Sequence, residues 1–403
     1  MMLQILLVKS CFLFSFGATQ LHEAAKSAGL QYYGTETESV SFSDEPYQAV
    51  LKNTSEFGQI TPGNSMKWDS IEPQPGKFSF AGGDAIAALA KANNQLLRCH
   101  TLVWHQQLPS WVTGGTWTAA TLTAALQNHI TNEVTHYKGQ CFAWDVVNEA
   151  LNDNGTFRNS VFFRVIGQDY IKIAFEAAAA ADPDVKLYYN DFGTEFPGAK
   201  SNAAQAIVKS LKAVGAKIDG VGFQAHFVVG GTPSKATQIA NMGAFTALGV
   251  EVAITELDIR MKLPSTDALV AQQKKDYQTT SAACVALTGC IGITVWDFDD
   301  KYSWIPSTFP GTGDGTMFDG RVTRKEAYFG ALSGLVASAG NSTNSTGDTF
   351  AELTPSSFTP LTGTTNTTVT PPVLRVPTSP ASSLNLSGLI LVLLISLVFA
   401  ALL

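Results

Sequence analysis

The sequence predicts an α/β fold: a (β/α)8 TIM barrel as a single domain, followed by a disordered C-terminal stalk. Three observations predict it. Eight short apolar, β-branched runs alternate with amphipathic stretches over residues 24–338. Polar and aromatic outliers gather at the C-terminal end of these runs, where the working loops of a barrel emerge. No glycine-rich phosphate loop follows an early strand, as it usually does in a doubly wound open sheet.

In order, the strands are expected at 31–37, 59–63, 96–102, 142–148, 185–191, 220–226, 251–257 and 292–298. Amphipathic stretches between them, at 81–93, 120–137, 162–182, 199–215, 235–248 and 267–287, read as the outer helices. The outliers then fall on one convergent face. Asn64 and Lys67 follow the second strand, and His100 and Trp104 the third. Asn148 and Glu149 follow the fourth, Asn190 the fifth, and Gln224 and His226 the sixth. Glu256 and Asp258 follow the seventh, and Trp296 the eighth.

Glu149 and Glu256 carry the most information. Each closes a buried apolar run, where a carboxylate is costly unless the site uses it. Two structural ion-pair carboxylates would be the bland reading. Two such groups on one barrel face suggest instead an acid/base and a nucleophile of the kind that cleaves a glycosidic bond. Period-two spacing puts Gln224 with His226, and Glu256 with Asp258, toward the barrel mouth.

The motifs TPGNSMKWDSIEP, RCHTLVWHQQLPSW, WDVVNEAL, GFQAHF, ITELDIR and TVWDFDDKYSWIP stand in this order over roughly residues 21–337. In them the chain resembles glycoside hydrolase family 10, the retaining endo-β-1,4-xylanases. The resemblance implies Glu149 as general acid/base and Glu256 as nucleophile, with their carboxyls about 5–5.5 Å apart. It implies Asn148 on the 2-hydroxyl of the sugar under attack, with His226, Asp258 and Gln224 supporting the nucleophile. Asn64, Lys67, His100, Trp104 and Gln107 match the glycone side; Asn190 joins the substrate contacts. Trp296 and Trp304 match the aromatic floor and wall, and bulk at Trp304 would crowd the hydroxymethyl of glucose. Trp68, Trp111 and Trp144 read as core. The implied substrates are xylan and xylo-oligosaccharides. A different β-1,4-glycanase, or a non-catalytic polysaccharide-binding barrel, are the alternatives.

Two departures stand out. Gly63 replaces a glutamate that many members carry, so restoring it by Gly63→Glu is expected to help short substrates. Asn190-Asp191-Phe192-Gly193 replaces Asn-Asp-Tyr-Asn.

Composition sets further bounds. The chain has 403 residues, 15% of them charged, and a net charge of −7 with no basic run, which argues against nucleic acid. No metal cluster or cofactor loop is seen, and a monomer is expected. Residues 1–19 read as a signal peptide, 20–338 as the barrel, 339–383 as a glycosylated linker and 384–403 as a glycosylphosphatidylinositol (GPI) attachment signal. The expected product is secreted and anchored at the cell surface. Sequons stand at Asn53, Asn154, Asn341, Asn344, Asn366 and Asn385. Cys284 and Cys290 are expected to form a disulfide; Cys99 and Cys141 read as buried thiols, well apart along neighbouring strands.

Overall fold

The computed structural model describes residues 19–339. Eight parallel strands close into a barrel: β1 (Tyr32–Thr37), β2 (Gln59–Pro62), β3 (Leu96–Val103), β4 (Cys141–Asn148), β5 (Lys186–Asp191), β6 (Gly220–Phe223), β8 (Glu251–Lys262) and β9 (Cys290–Val295). Closure comes from β1, which pairs with β2 on one side and β9 on the other. Two short strands lie outside the barrel wall. β7 (His226–Val228) runs parallel to β8, and β10 (Thr312–Gly313) is antiparallel to it. The signal peptide, linker, GPI signal and the sequons from Asn341 onward fall outside the described residues.

The strands are apolar on both faces because helices cover one side and packed side chains fill the other. Inside the barrel, Tyr32, Ala143, Tyr188, Ala253 and Ile291 form their own buried cluster. Arg98 crosses this space, paired with Asp145 and stacked 4.3 Å from the Tyr188 ring. The helices form as their sequence patterns dictate. Ala119–His136 is opened by Thr118, whose hydroxyl accepts from the Thr121 N–H in a capping box. It buries Leu122, Leu126, Ile130 and Val134, one apolar face at four-residue spacing.

The structure corrects four expectations. The sixth strand stops at Phe223 rather than 226, because Ala225 adopts φ +60°, its N–H donating to Glu195 Oε1 at 2.7 Å. The chain resumes as β7, so Gln224 and His226 are not successive members of one strand face. The seventh strand extends to Lys262. The helix expected at 162–182 is two, Val161–Ile166 and Asp169–Ala181, broken where Gly167 takes φ +80°.

The fourth correction concerns cysteine. Cys99 and Cys141 are joined in a disulfide, as are Cys284 and Cys290. Cys99 lies mid-strand in β3 and Cys141 opens β4, so the two are not well apart as expected. The register pairs Leu97 with Cys141 and then jumps, setting Arg98 opposite Ala143. Beside this irregularity the two cysteines stand 5.8 Å apart between Cα atoms, within the normal bridging range. The bridge closes a 42-residue separation against 6 for the other. On the chain-entropy account the two are worth about 4 and about 2 kcal/mol.

Candidate active site

Glu149 directly follows β4, and Glu256 lies midway along the extended β8, one residue before its last pairing with β9; both reach the barrel mouth almost fully buried. Neutral amides connect them. Gln224 Nε2 donates to Glu149 Oε1 at 3.2 Å and to Asn148 Oδ1 at 3.1 Å. Asn190 Nδ2 donates to the same Asn148 oxygen at 3.0 Å and to Glu256 Oε1 at 2.7 Å. Thr255 Oγ1 donates to Asn190 Oδ1 at 2.7 Å and fixes which way that amide faces. With Oδ1 of Asn148 accepting twice, its Nδ2 is left for a ligand.

Glu149 leaves the strand with φ +56°, a backbone conformation rare for a side-chain-bearing residue. Its N–H donates to the Asn190 carbonyl at 2.9 Å, which keeps the turn tied to β5.

The other oxygen of Glu256 meets His226 Nε2 at 3.0 Å, and His226 Nδ1 meets Asp258 Oδ2 at 2.9 Å. Burial alone would lower the His226 pKa. The two flanking carboxylates, Asp258 foremost, outweigh it and push the imidazole up to about 10. At neutral pH it is therefore an imidazolium clamped between two anions. Trp304 Nε1 also donates to Asp258 Oδ2, at 2.7 Å, and its ring lies 4.9 Å from His226.

On the other flank, Lys67 Nζ donates to Gln107 Oε1 at 2.7 Å and Asn64 Oδ1 at 3.2 Å, and sits 4.7 Å from the Trp104 ring. Burial lowers the Lys67 pKa, partly opposed by Glu256, Glu36 and Glu149. His100 is held by Asp145 at 2.9 Å and meets Trp296 edge-on at 5.4 Å.

A model of the glycosyl hydrolase family 10 matches residues 20–333. The chain belongs to this family. Endo-1,4-beta-xylanase D of Talaromyces funiculosus is 60% identical over 322 residues, covering 80% of this chain and 79% of that protein. An endo-1,4-beta-xylanase of Agaricus bisporus is 50% identical, covering 79% of this chain and 95% of that one. The solved GH10 xylanase of Bispora sp. MEY-1, a complex with xylobiose, aligns with a TM-score of 0.77 at 46% identity. That alignment covers 78% of this chain and 99% of the Bispora chain.

Within this family 10 site, the structure brings the expected residues together but alters some roles. Gln224, expected to support the nucleophile, gives its amide to Glu149 and Asn148 instead. Asn190, expected to touch substrate, is fully buried and spends its amide on Asn148, Glu256 and Thr255. Of the tryptophans expected in the core, Trp68 and Trp144 are buried; Trp111 is partly exposed and donates to the Glu72 carbonyl at 3.0 Å. Phe192 carries a cation on its ring: Lys200 Nζ stands 3.5 Å from the ring centroid and pairs with Asp191 at 3.1 Å. Gly193 takes φ +65°, which suits a residue without a Cβ.

Sequence reasoning missed His105. Its Nδ1 lies 3.8 Å from Glu149 Oε2, and burial, partly offset by Glu149, lowers its pKa to about 4. It is neutral near pH 7. Its place directly after Trp104 in the RCHTLVWH motif was the available signal.

Gly63 needs a correction. A Cβ there would fall 1.9 Å from Glu36 Oε1 and 2.7 Å from its Cδ. Gly63→Glu therefore requires the Glu36 carboxyl to move, which opposes the gain expected from the sequence.

Proposed function

We propose that this family 10 chain is a retaining endo-1,4-β-xylanase, with Glu149 as general acid/base and Glu256 as nucleophile. The observation that carries the reading is the chain of neutral amides running from one carboxyl to the other across the barrel mouth. It holds both groups on one face without neutralising either.

The reaction proceeds as follows. Glu256 attacks the anomeric carbon while Glu149 gives its proton to the departing oxygen, and a covalent glycosyl-enzyme forms. Glu149, now a carboxylate, takes a proton from water as that water attacks the same carbon from the vacated side. Two inversions give net retention. The free Nδ2 of Asn148 donates to the 2-hydroxyl, an interaction that strengthens as positive charge grows on the sugar ring. The imidazolium of His226, 3.0 Å from Glu256 Oε2, orients the nucleophile. Asn64, Lys67, Gln107, His100 and Trp104 bind the glycone side, and Trp296 and Trp304 pack against the sugar at the cleavage point.

Reducing-sugar release from xylan, with little from carboxymethylcellulose, is the expected result. Proton NMR at early times shows the β-anomer first. A preference for carboxymethylcellulose rejects the xylan assignment, and an initial α-anomer rejects retention.

Secretion and anchoring are part of the same proposal. The apolar Leu3–Phe16 stretch supports a signal peptide, and the small residues before the apolar 388–403 tail support GPI attachment within about 378–383. Among the described residues no helix is long and apolar enough to cross a membrane. Asn154 is exposed and accessible to a glycan; Asn53 is half-buried, its amide donating to Gln20 at 3.0 Å. Phosphatidylinositol-specific phospholipase C is expected to release active enzyme from intact cells. A tryptic peptide ending at Leu403 in the surface protein contradicts this.

A further inference from the structure

Glu36 is the penultimate residue of β1, with its carboxyl toward the loop that starts at Gly63. It is 7% exposed, yet among the described residues its side chain has no hydrogen bond or ion pair. A buried carboxyl without a partner is costly and calls for an explanation.

Gly63 supplies half of it. Its backbone lies outside the left-handed region, so no turn requires glycine there. What the glycine provides is room, since any side chain would start inside the Glu36 carboxyl. Neighbouring Glu38 has a different and satisfied role. It accepts from the Ser65 N–H at 2.7 Å and from the Asn64 N–H, fastening the loop. Glu36 fastens nothing.

Its surroundings supply the other half. Gly63 precedes Asn64, whose side chain accepts from Lys67 at 3.2 Å and from Gln107 at 3.0 Å. Glu36 feels Lys67 and Glu256 electrostatically. It therefore borders the polar cluster read above as the glycone side, and that reading is its premise. A carboxyl so placed matches a ligand that brings its own hydroxyl donors.

We propose that Glu36 is a sugar-binding residue that holds hydroxyls of the second glycone sugar, its carboxyl filling the space left by Gly63. The carboxylate absent at position 63 is thus supplied from the adjacent strand. Burial, then Asp297 and Glu38, raise the Glu36 pKa well above the usual carboxylate range. Either form accepts from a sugar hydroxyl, and the acid form also donates.

The test compares aryl β-xylobioside, which fills two glycone positions, with aryl β-xyloside, which fills one. Glu36→Ala is expected to lower kcat/KM on the xylobioside by about 10- to 100-fold, the size of a charge-assisted bond, and to affect the xyloside far less. Glu36→Gln, which keeps an acceptor, is expected to fall between. The exchange Glu36→Ala/Gly63→Glu is expected to recover most of the xylobioside rate, whereas Gly63→Glu alone loses it. Equal losses on both substrates, or none on either, overturn the proposal. Asn64→Ala separates the premise from the inference. If Asn64→Ala shows the substrate difference and Glu36→Ala does not, only the role of Glu36 falls. If Asn64→Ala also shows no difference, the glycone assignment itself falls.

Discussion

Glu256→Ala is expected to lose turnover on every substrate, by a factor on the order of 10⁵ or more, the scale of removing a covalent nucleophile in other hydrolases. Without the carboxylate no glycosyl-enzyme forms, and a good leaving group offers no relief. Glu149→Ala behaves differently. On xylan it is expected to lose about 10²- to 10⁴-fold, the range of general acid–base catalysis. On aryl xylosides with acidic phenols the first step survives, because the departing oxygen needs no proton. The glycosyl-enzyme then accumulates, since water is no longer activated, and azide accelerates its breakdown. Steady-state and burst kinetics on both substrate types separate the two residues. Substantial activity in Glu256→Ala, or no azide effect in Glu149→Ala, contradicts the roles.

His226→Ala is expected to have the second-largest effect, on activity and stability together. It removes the cation between Glu256 and Asp258 and leaves two buried carboxylates facing each other. Breaking a buried ionic cluster by deleting one partner costs about 3–5 kcal/mol. Loss of one preorganised donor to the reacting group costs about 10²–10³-fold in kcat. The stability effect has a definite pH dependence. Unfolded histidine titrates near 6.5, whereas His226 in the folded chain titrates at about 10. Between these values the folded state holds a proton that the unfolded state has released. The stabilisation is therefore fully present below about pH 6.5 and is lost as pH rises through about 10. Thermal melts of wild type and variant should differ most at pH 6 and converge toward pH 10. Among the described residues the groups facing this imidazole are Glu256, Asp258, Trp304 and Trp296, with buried Glu195 acting on it electrostatically, and none of these is a cation. A gap that widens with pH contradicts the assignment.

Much of this molecule was legible in its sequence because barrel physics repeats. Each strand is a short β-branched run, each helix an amphipathic one, and the polar groups of the site gather at one end. Glu149 and Glu256 were visible as carboxylates ending apolar runs. What escaped notice depended on register and on space. The Cys99–Cys141 bridge joins β3 to β4 across residues 42 apart in sequence, a proximity no local pattern encodes. The break at Ala225 is a left-handed residue with a Cβ, where a glycine would have announced it. Gly63 looked like a lost function because its neighbour across the sheet, Glu36, lies 27 positions earlier in the chain. Gln224 and Asn190 were placed at the site, but an amide's partners follow from orientation, which residue type does not give.

The amides between Glu149 and Glu256 act as a jig. Acceptor and donor alternate from Glu149 through Gln224, Asn148 and Asn190 to Glu256, so no member can turn over without setting like against like. Thr255 locks the alternation from below. The two atoms this chain leaves over are Glu149 Oε2, 3.8 Å from His105 Nδ1, and Asn148 Nδ2, the pair that the proposed mechanism assigns to the sugar. A substrate entering this cleft finds its partners already aimed, and the reorganisation that a solvent shell would undergo during bond cleavage was completed when the barrel folded.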